Sequence, residues 1–518
     1  VTLALLAAAL VSAQPITSNA NTCDIGVTPA ATLLLPYFEV DTAAPVGKGA
    51  TTLFTITNTS RFPQIVHVTL WTDWAFPVVG FNILLTGYDV HGINLYDVIK
   101  YGLLTPSSAA AGAVPFNGAS NPNFAPGELS VEATCAGLRT VLPLDLIPAV
   151  RSALTTGAGY ANGGVSCPGP VGANHGVIAK GYATVDVVSY CSSLLPTDSG
   201  GAYFQGTSAP LLFDNVLIGD YQQIGPPPSG SGVSATIDAR GSPMVPIRAI
   251  PEGGLSGAGG GQVVRTNLPF TFYDRYTPAG ARAADRRQPL PSMWALRYIE
   301  GGSGNWTTDF KIWREGVTAG LPTCGSNGTV QDNQGIIIAN VVRLDEHENA
   351  MGYSYNICSA CRLIPPNLPA TSRTSSASGP FPAMNSNDIG GWFFLNLGSR
   401  SQHDNGQTIC DRALSAQRAG FTEGFDVYPC TTGAAAPGTG GSRSTSQNWV
   451  VVSMFGVYGT SRLAVDFDGA WLGNGCTPSE RWGGTVAPAN QRSGPLVCPD
   501  NLPRSKCGIG ALPPAVNP

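Results

Sequence analysis

The apolar residues of this chain come in short runs of β-branched and aromatic side chains, each bounded by Gly, Pro, Asn or Asp. That spacing suits strands and leaves little room for amphipathic helices. The runs are TTLFTITN (51–58), QIVHVTLW (64–71), FNILLT (81–86), YATVDVVSY (182–190), FTFYDRY (270–276), WALRYI (294–299), DFKIW (309–313), GIIIANVVRL (335–344), GWFFLNL (391–397), NWVVVSMF (448–455) and RLAVDFD (462–468). Alternation puts Phe54 and Ile56 on one face of the first run, and Val66, Val68 and Leu70 on one face of the second. Gly and Pro, 64 and 42 of 518 residues, supply the turns, while charged residues at 12% are too few for long solvated helices. The expected fold is all-β: two β-sandwich-like (Ig-like) domains with short helical excursions and long Gly/Pro/Ser loops.

Two segments are predicted helical. Asn94 caps a turn that runs to Tyr101 and stops at Gly102, with Asp97 near its positive end. Pro148 sits in the first turn of a helix that reaches Thr156 and is closed by Gly157. The segment 225–262, with GPPPSGSG and GGLSGAGGG around a strand-like MVPIRAI, is the expected linker between an N-terminal domain, 14–224, and a C-terminal one, 263–518. Segments 365–386 and 431–447 are too long and polar for tight turns and read as mobile loops. A faint echo sets TLFTITN and VTLWTDW beside ALRYIEG and FKIWREG, each pair a strand, a turn and a strand ending at Trp71 or Trp313.

Residues 1–13, VTLALLAAALVSA, read as a secretory signal with Val11-Ser12-Ala13 as the cleavage site, too short to span a bilayer. The mature chain is expected to be secreted, extracellular or at the cell surface, with no membrane insertion. Twelve cysteines fit an oxidising compartment. The disulfide candidates are Cys135 with Cys167, Cys410 with Cys430, the pair Cys358 and Cys361 with each other or with Cys324, and the tail residues Cys476 and Cys498 beside Cys507. A net charge of −5 without a basic run argues against nucleic acid.

The strings TLLLPYFEVD, TTLFTITNTS, HVTLWTDW, LTGYDVHGINLYDV, IRAIPEGG, DRRQPLPSMWALRY, VVRLDEHEN and SRLAVDFDGAWLGNGC resemble those of a family of exported proteins of environmental bacteria, soil Acidobacteria and their relatives. The resemblance spans most of the chain after residue 13. It implies export and a single build, and it assigns no activity, ligand or catalytic residue.

Motifs that carry chemistry are scarce. No Gly-x-Ser-x-Gly elbow and no phosphate loop occurs, and Cys358-Ser359-Ala360-Cys361 is followed by Arg362 rather than the His of a haem attachment site. The densest polar cluster is Asp345-Glu346-His347-Glu348, directly after a strand. Asp345, Glu346 and Glu348 are the candidate acids of a glycosidase-like pair, which needs two carboxyl groups about 5–9 Å apart. The plainer reading is a solvated turn at a strand end. Asp466 and Asp468 share a strand face and are candidate cation ligands, without the remaining residues of a calcium loop. His67 reads as a strand residue in a wall of the core, and most of the nine tryptophans as packing. No cofactor is expected.

The expected function is a non-enzymatic extracellular or cell-surface role in adhesion, coating or assembly. Expected partners are a glycan or another cell-surface protein, with an oligomer or filament as an open option. One alternative is a secreted polysaccharide hydrolase using Asp345, Glu346 and Glu348. The other is an extracellular polymer subunit in which ATLLLPYFEV adds as a strand to a neighbour's sheet.

Overall fold

A computed structural model describes residues 29–104, 141–162, 165–196, 202–203, 210–225, 239–249, 287, 290–302, 305–314, 340–347, 350–355, 370–375, 389–396, 448–458, 461–467 and 469–474. Residues 1–13, the FTFYDRY run and residues 431–447 lie outside them. The described chain is mostly strand, and every strand pairing in it is antiparallel.

The first half holds β1 (Thr32–Asp41), β2 (Thr51–Asn58), β3 (Gln64–Thr72), β4 (Pro77–Leu85), β5 (Val90–Asn94), β6 (Tyr160–Asn162), β7 (Val165–Cys167), β8 (Ile178–Val188), β9 (Leu217–Ile224), β10 (Ala239–Pro243) and β11 (Val245–Ile247). They form a five-stranded sheet, β11-β1-β8-β3-β4, a four-stranded sheet, β10-β9-β2-β5, and the small hairpin β6-β7. Phe54 and Ile56 of β2, Leu33 and Leu35 of β1, and Val66, Val68 and Leu70 of β3 meet in one apolar cluster shared by both large sheets. Between β5 and β8 lie the helical excursions. A π-helical turn, Asp97–Tyr101, ends at Gly102 with φ 68°, and Asn94 accepts the Tyr96 N–H at its entrance. Helix α1 (Leu146–Thr155) is followed by Gly157 with φ 65°. Among the described residues no helix is long and apolar enough to cross a membrane.

The second half holds β12 (Pro291–Ile299), β13 (Thr307–Arg314), β14 (Asn340–Asp345), β15 (Ala350–Tyr355), β16 (Thr371–Ser375), β17 (Gly390–Asn396), β18 (Asn448–Tyr458), β19 (Ser461–Phe467) and β20 (Gly469–Asn474). Their sheets are β15-β14-β17-β12-β20 and β16-β13-β18-β19, and Trp294, Leu296, Phe310, Ile312, Phe393, Leu395, Val450 and Val452 form the shared core.

The two halves follow one plan. Leaving out the β6-β7 hairpin and counting strands in chain order, both five-stranded sheets run fourth, third, sixth, first, ninth, and both four-stranded sheets run fifth, second, seventh, eighth. Side chains repeat with the topology. In TTLFTITN (β2), Thr52 accepts the Glu39 N–H at 3.1 Å and donates to the Glu39 carbonyl. In TTDFKIWR (β13), Thr308 does the same to Ile299, at 2.9 and 2.8 Å. Gly181 of β8 and Gly391 of β17 also correspond. A Cβ on Gly181 would collide with the Trp71 carbonyl and the Phe38 ring, and one on Gly391 with the Leu344 carbonyl and Tyr298. The true correspondence thus sets β2 against β13 and β3 against β14. The sequence echo had matched β2 to β12, because any strand-turn-strand ending in Trp looks alike.

Two segments read as irregular are partly sheet. Within 225–262, β10 pairs with β9 and β11 with β1, and Met244, Val245 and Ile247 are buried, so the Gly/Pro-rich stretch is not linker throughout. Within 365–386, β16 pairs with β13. Its sequence TSRTS has no apolar residue, and what holds it besides that pairing is a set of polar contacts to β13 and to the first half. Thr371 donates to the Pro36 carbonyl at 2.6 Å, and Arg373 donates to Asp309 at 2.7 Å with Glu39 at 3.9 Å.

That contact joins the halves. Leu34, Trp71, Tyr182, Val245 and Ile247, on the outer side of the first five-stranded sheet, share a cluster with Trp313 and Ala370. Trp71 stacks on Tyr182 at 5.4 Å between centroids, and Trp313 meets Tyr182 edge-on at 5.8 Å. Strand β13 therefore has two buried faces. Phe310 and Ile312 enter the second core, while Lys311 and Trp313 face the first half, with the Lys311 ammonium 5.7 Å from the Tyr221 ring. The apolar segment 31–40 sits in a sheet of its own chain: β1 pairs with β8 along most of its length and with β11 at Thr32–Leu34.

Candidate functional site

The acidic cluster occupies the β14-β15 turn. An Asp carboxylate two residues before a backbone N–H closes such a turn by itself, and Asp345 Oδ1 accepts the His347 N–H at 2.8 Å. Glu346 receives Arg297 Nη2 on both oxygens, at 2.7 and 2.6 Å, in an ion pair whose side chains are 48% and 41% exposed. Glu348 lies outside the described residues.

The same turn in the first half explains this arrangement. Thr72 opposes Gly181 as Asp345 opposes Gly391, and Thr72 Oγ1 accepts the N–H groups of Trp74 and Phe76. The next residue, Asp73, pairs with His175 Nε2 at 3.0 Å and accepts the Ala173 N–H. Both turns thus carry a side-chain acceptor followed by a carboxylate anchored by a basic or N–H partner. Asp345 shapes the turn and Glu346 pins it to β12.

Asp466 lies opposite Ser453 in the β18-β19 pair, and Asp468 is outside the described residues. Among the described residues no group of three or more His, Cys, Asp or Glu comes together as a metal site. Cys167 and Cys191 are each engaged in a disulfide. Cys135, Cys358, Cys361, Cys410, Cys430, Cys476 and Cys498 lie outside the described residues.

The densest polar constellation was not singled out from sequence. Asn82, His67, Asp186 and Thr32 are direct neighbours across β4, β3, β8 and β1. Asn82 Oδ1 lies 2.9 Å from His67 Nδ1, and its amide donates to the Ser192 carbonyl. Thr32 donates to Asp186 and accepts from Arg287 Nε, Tyr203 donates to Asp186 at 2.7 Å, and Arg287 also donates to the Leu212 carbonyl at 3.2 Å. Burial pushes the His67 imidazole down from its ordinary range, against the Asn82 hydrogen bond and the Asp186 charge. In an open cleft such a set could move protons. Here His67, Asp186, Thr32 and Arg287 have no exposed surface, and a substrate site needs a concave opening. The set instead ties residue 287, just ahead of β12, to the first sheet. A paired, hydrogen-bonded buried charge is costly to break. The signal in sequence was spacing-two polarity (His67, Thr69; Thr184, Asp186) inside otherwise apolar strands.

Comparison with protein-family models, curated proteins and solved structures finds no match to this chain.

Proposed function

We propose that the protein is an exported, non-enzymatic component of the cell surface or extracellular space, built from two β-sandwich-like domains and acting in adhesion, coating or assembly. The observation that carries this is the Arg297–Glu346 pair. In the acidic cluster read from sequence, Asp345 closes the turn and Glu346 holds a neighbouring strand, as Thr72 and Asp73 serve theirs. The large share of chain committed to β-sheet and the sealing of the polar ladder support the same reading. Apolar residues 1–13 support export. A glycan or another surface protein is the partner class that suits a weakly charged β-rich surface.

The test is incubation of purified protein with a panel of polysaccharides, reading new reducing ends, for the wild type and for Asp345→Asn/Glu346→Gln/Glu348→Gln. No release by either protein is expected. Cleavage by the wild type that vanishes in the triple variant would overturn the proposal and install the hydrolase.

A further inference from the structure

The contact between the halves is head-to-tail. Its apolar part joins the outer side of the five-stranded sheet of the first unit to the outer side of the four-stranded sheet of the second, and beside it the edge strand β10 of the first unit approaches β19 of the second. Since both units have one plan, each owns both kinds of face, and among the described residues the apolar cluster between the halves draws on neither the outer face of β5, β2 and β9 in the first unit nor the outer five-stranded face of the second. An interface between unlike faces does not close on itself. It leaves complementary ends for another copy.

The leftover faces carry the expected rows. On the covered side, Tyr182 is buried beneath Trp313, and Trp313 stands in the row Thr371-Trp313-Trp449 across β16, β13 and β18. The position matching Tyr182 is Trp392, half-buried, in the row Arg297-Trp392-Leu344 across β12, β17 and β14. The row matching Thr371-Trp313-Trp449 is Val90-Thr57-Ile218 across β5, β2 and β9. There Val90 is 62% and Ile218 36% exposed, two β-branched apolar side chains on the open side of a sheet. A solvated sheet face normally carries polar residues at such outward positions.

We propose that a second copy of this chain docks its Val90-Thr57-Ile218 face onto the Trp392 face of the first, in the manner of the internal apolar contact but without its β10-β19 edge, giving an open head-to-tail series. This rests on the assembly branch of the proposed function. The docking row has Thr57 in place of Trp313 and its neighbours are small, so the contact between copies is weaker than the one within the chain and depends on concentration.

Sedimentation velocity on the full chain across low to high micromolar concentration tests it. The weight-average sedimentation coefficient of the wild type should climb without levelling at the dimer. Val90→Glu/Ile218→Glu, at exposed positions, and Trp392→Ser should each stay monomeric. An equimolar mixture of the two variants should form dimers and stop there, since one supplies an intact Trp392 face and the other an intact Val90 face. Arg297→Glu, on an exposed side chain of the same face, replaces Trp392→Ser if circular dichroism shows that variant unfolded. A wild type monomeric throughout, a dimer indifferent to these substitutions, or a mixture that fails to dimerise would each overturn the proposal. The two readings fail separately: a monomer without hydrolytic activity removes the docking contact alone, whereas a self-associating hydrolase removes the non-enzymatic role alone.

Discussion

Trp313→Ala removes the side chain that joins the halves. Trp313 has no exposed surface and meets Tyr182 edge-on in the cluster that also holds Leu34, Trp71 and Ile247. Truncating a fully buried Trp costs about 3–5 kcal/mol, and an aromatic pair of this geometry accounts for roughly 0.5–1.5 of that. For a cooperative unit of about 200 residues each kcal/mol lowers Tm by about 2–4 °C, so a fall of about 10 °C is expected. Because the lost contact lies between units, the loss should also separate them. Scanning calorimetry of the wild type should show one transition, and that of Trp313→Ala a lower and split one. Tyr88→Ala, at a side chain 70% exposed, is the control and should change stability by no more than about 0.5 kcal/mol. A double-mutant cycle with Tyr182→Ala should return a coupling of about 0.5–1.5 kcal/mol. A single, unsplit transition in Trp313→Ala within about 2 °C of wild type would refute the shared cluster as the joint.

Thr52→Val and Thr308→Val each strip a hydroxyl that accepts from and donates to one backbone residue of the preceding strand, and each should cost about 1–3 kcal/mol by urea unfolding. Unequal losses, one near zero, would break their correspondence. Gly181→Ala and Gly391→Ala should each destabilise by at least about 1–3 kcal/mol, since the new methyl meets a carbonyl of the adjacent strand; melting temperatures check both. His67 is held below its ordinary 6.5 by burial, so the unfolded chain takes up a proton before the folded one does. Stability should therefore be full above that value and decline as pH falls below it, and His67→Gln should flatten that part of the profile.

The β-architecture was legible because alternation is written directly into strands such as TTLFTITN, whose buried and half-buried positions alternate as Phe54 and Ile56 require. β5 (VHGIN), β9 (LIGDYQQI) and β16 (TSRTS) were not legible, since glycine and polar residues, His91 and Gln223 among the buried ones, interrupt their apolar alternation and their pairing is decided by distant strands. The pairing inside 225–262 has the same origin: three residues, Val245–Ile247, complete a sheet begun at Thr32. The turn character of Asp345 was legible from its position after a strand. The partner of Glu346 was not, because Arg297 is 49 residues away in sequence and arrives only through the β12-β17-β14 order. The polar ladder was hidden for a similar reason, as Arg287 and Thr32 are separated by 255 residues.

Hydrogen exchange read by mass spectrometry compares β2 and β13 directly. Both are internal strands of four-stranded sheets, hydrogen-bonded on each side, so their in-plane surroundings match. They differ in cover: β2 turns Thr55 and Thr57 outward, whereas β13 buries Lys311 and Trp313 against the first unit. Amides buried on both faces open less often than amides with one face in water. Peptides from Thr307–Arg314 should exchange more slowly than peptides from Thr51–Asn58. Equal or faster exchange in β13 would contradict two like units docked head to tail into one body.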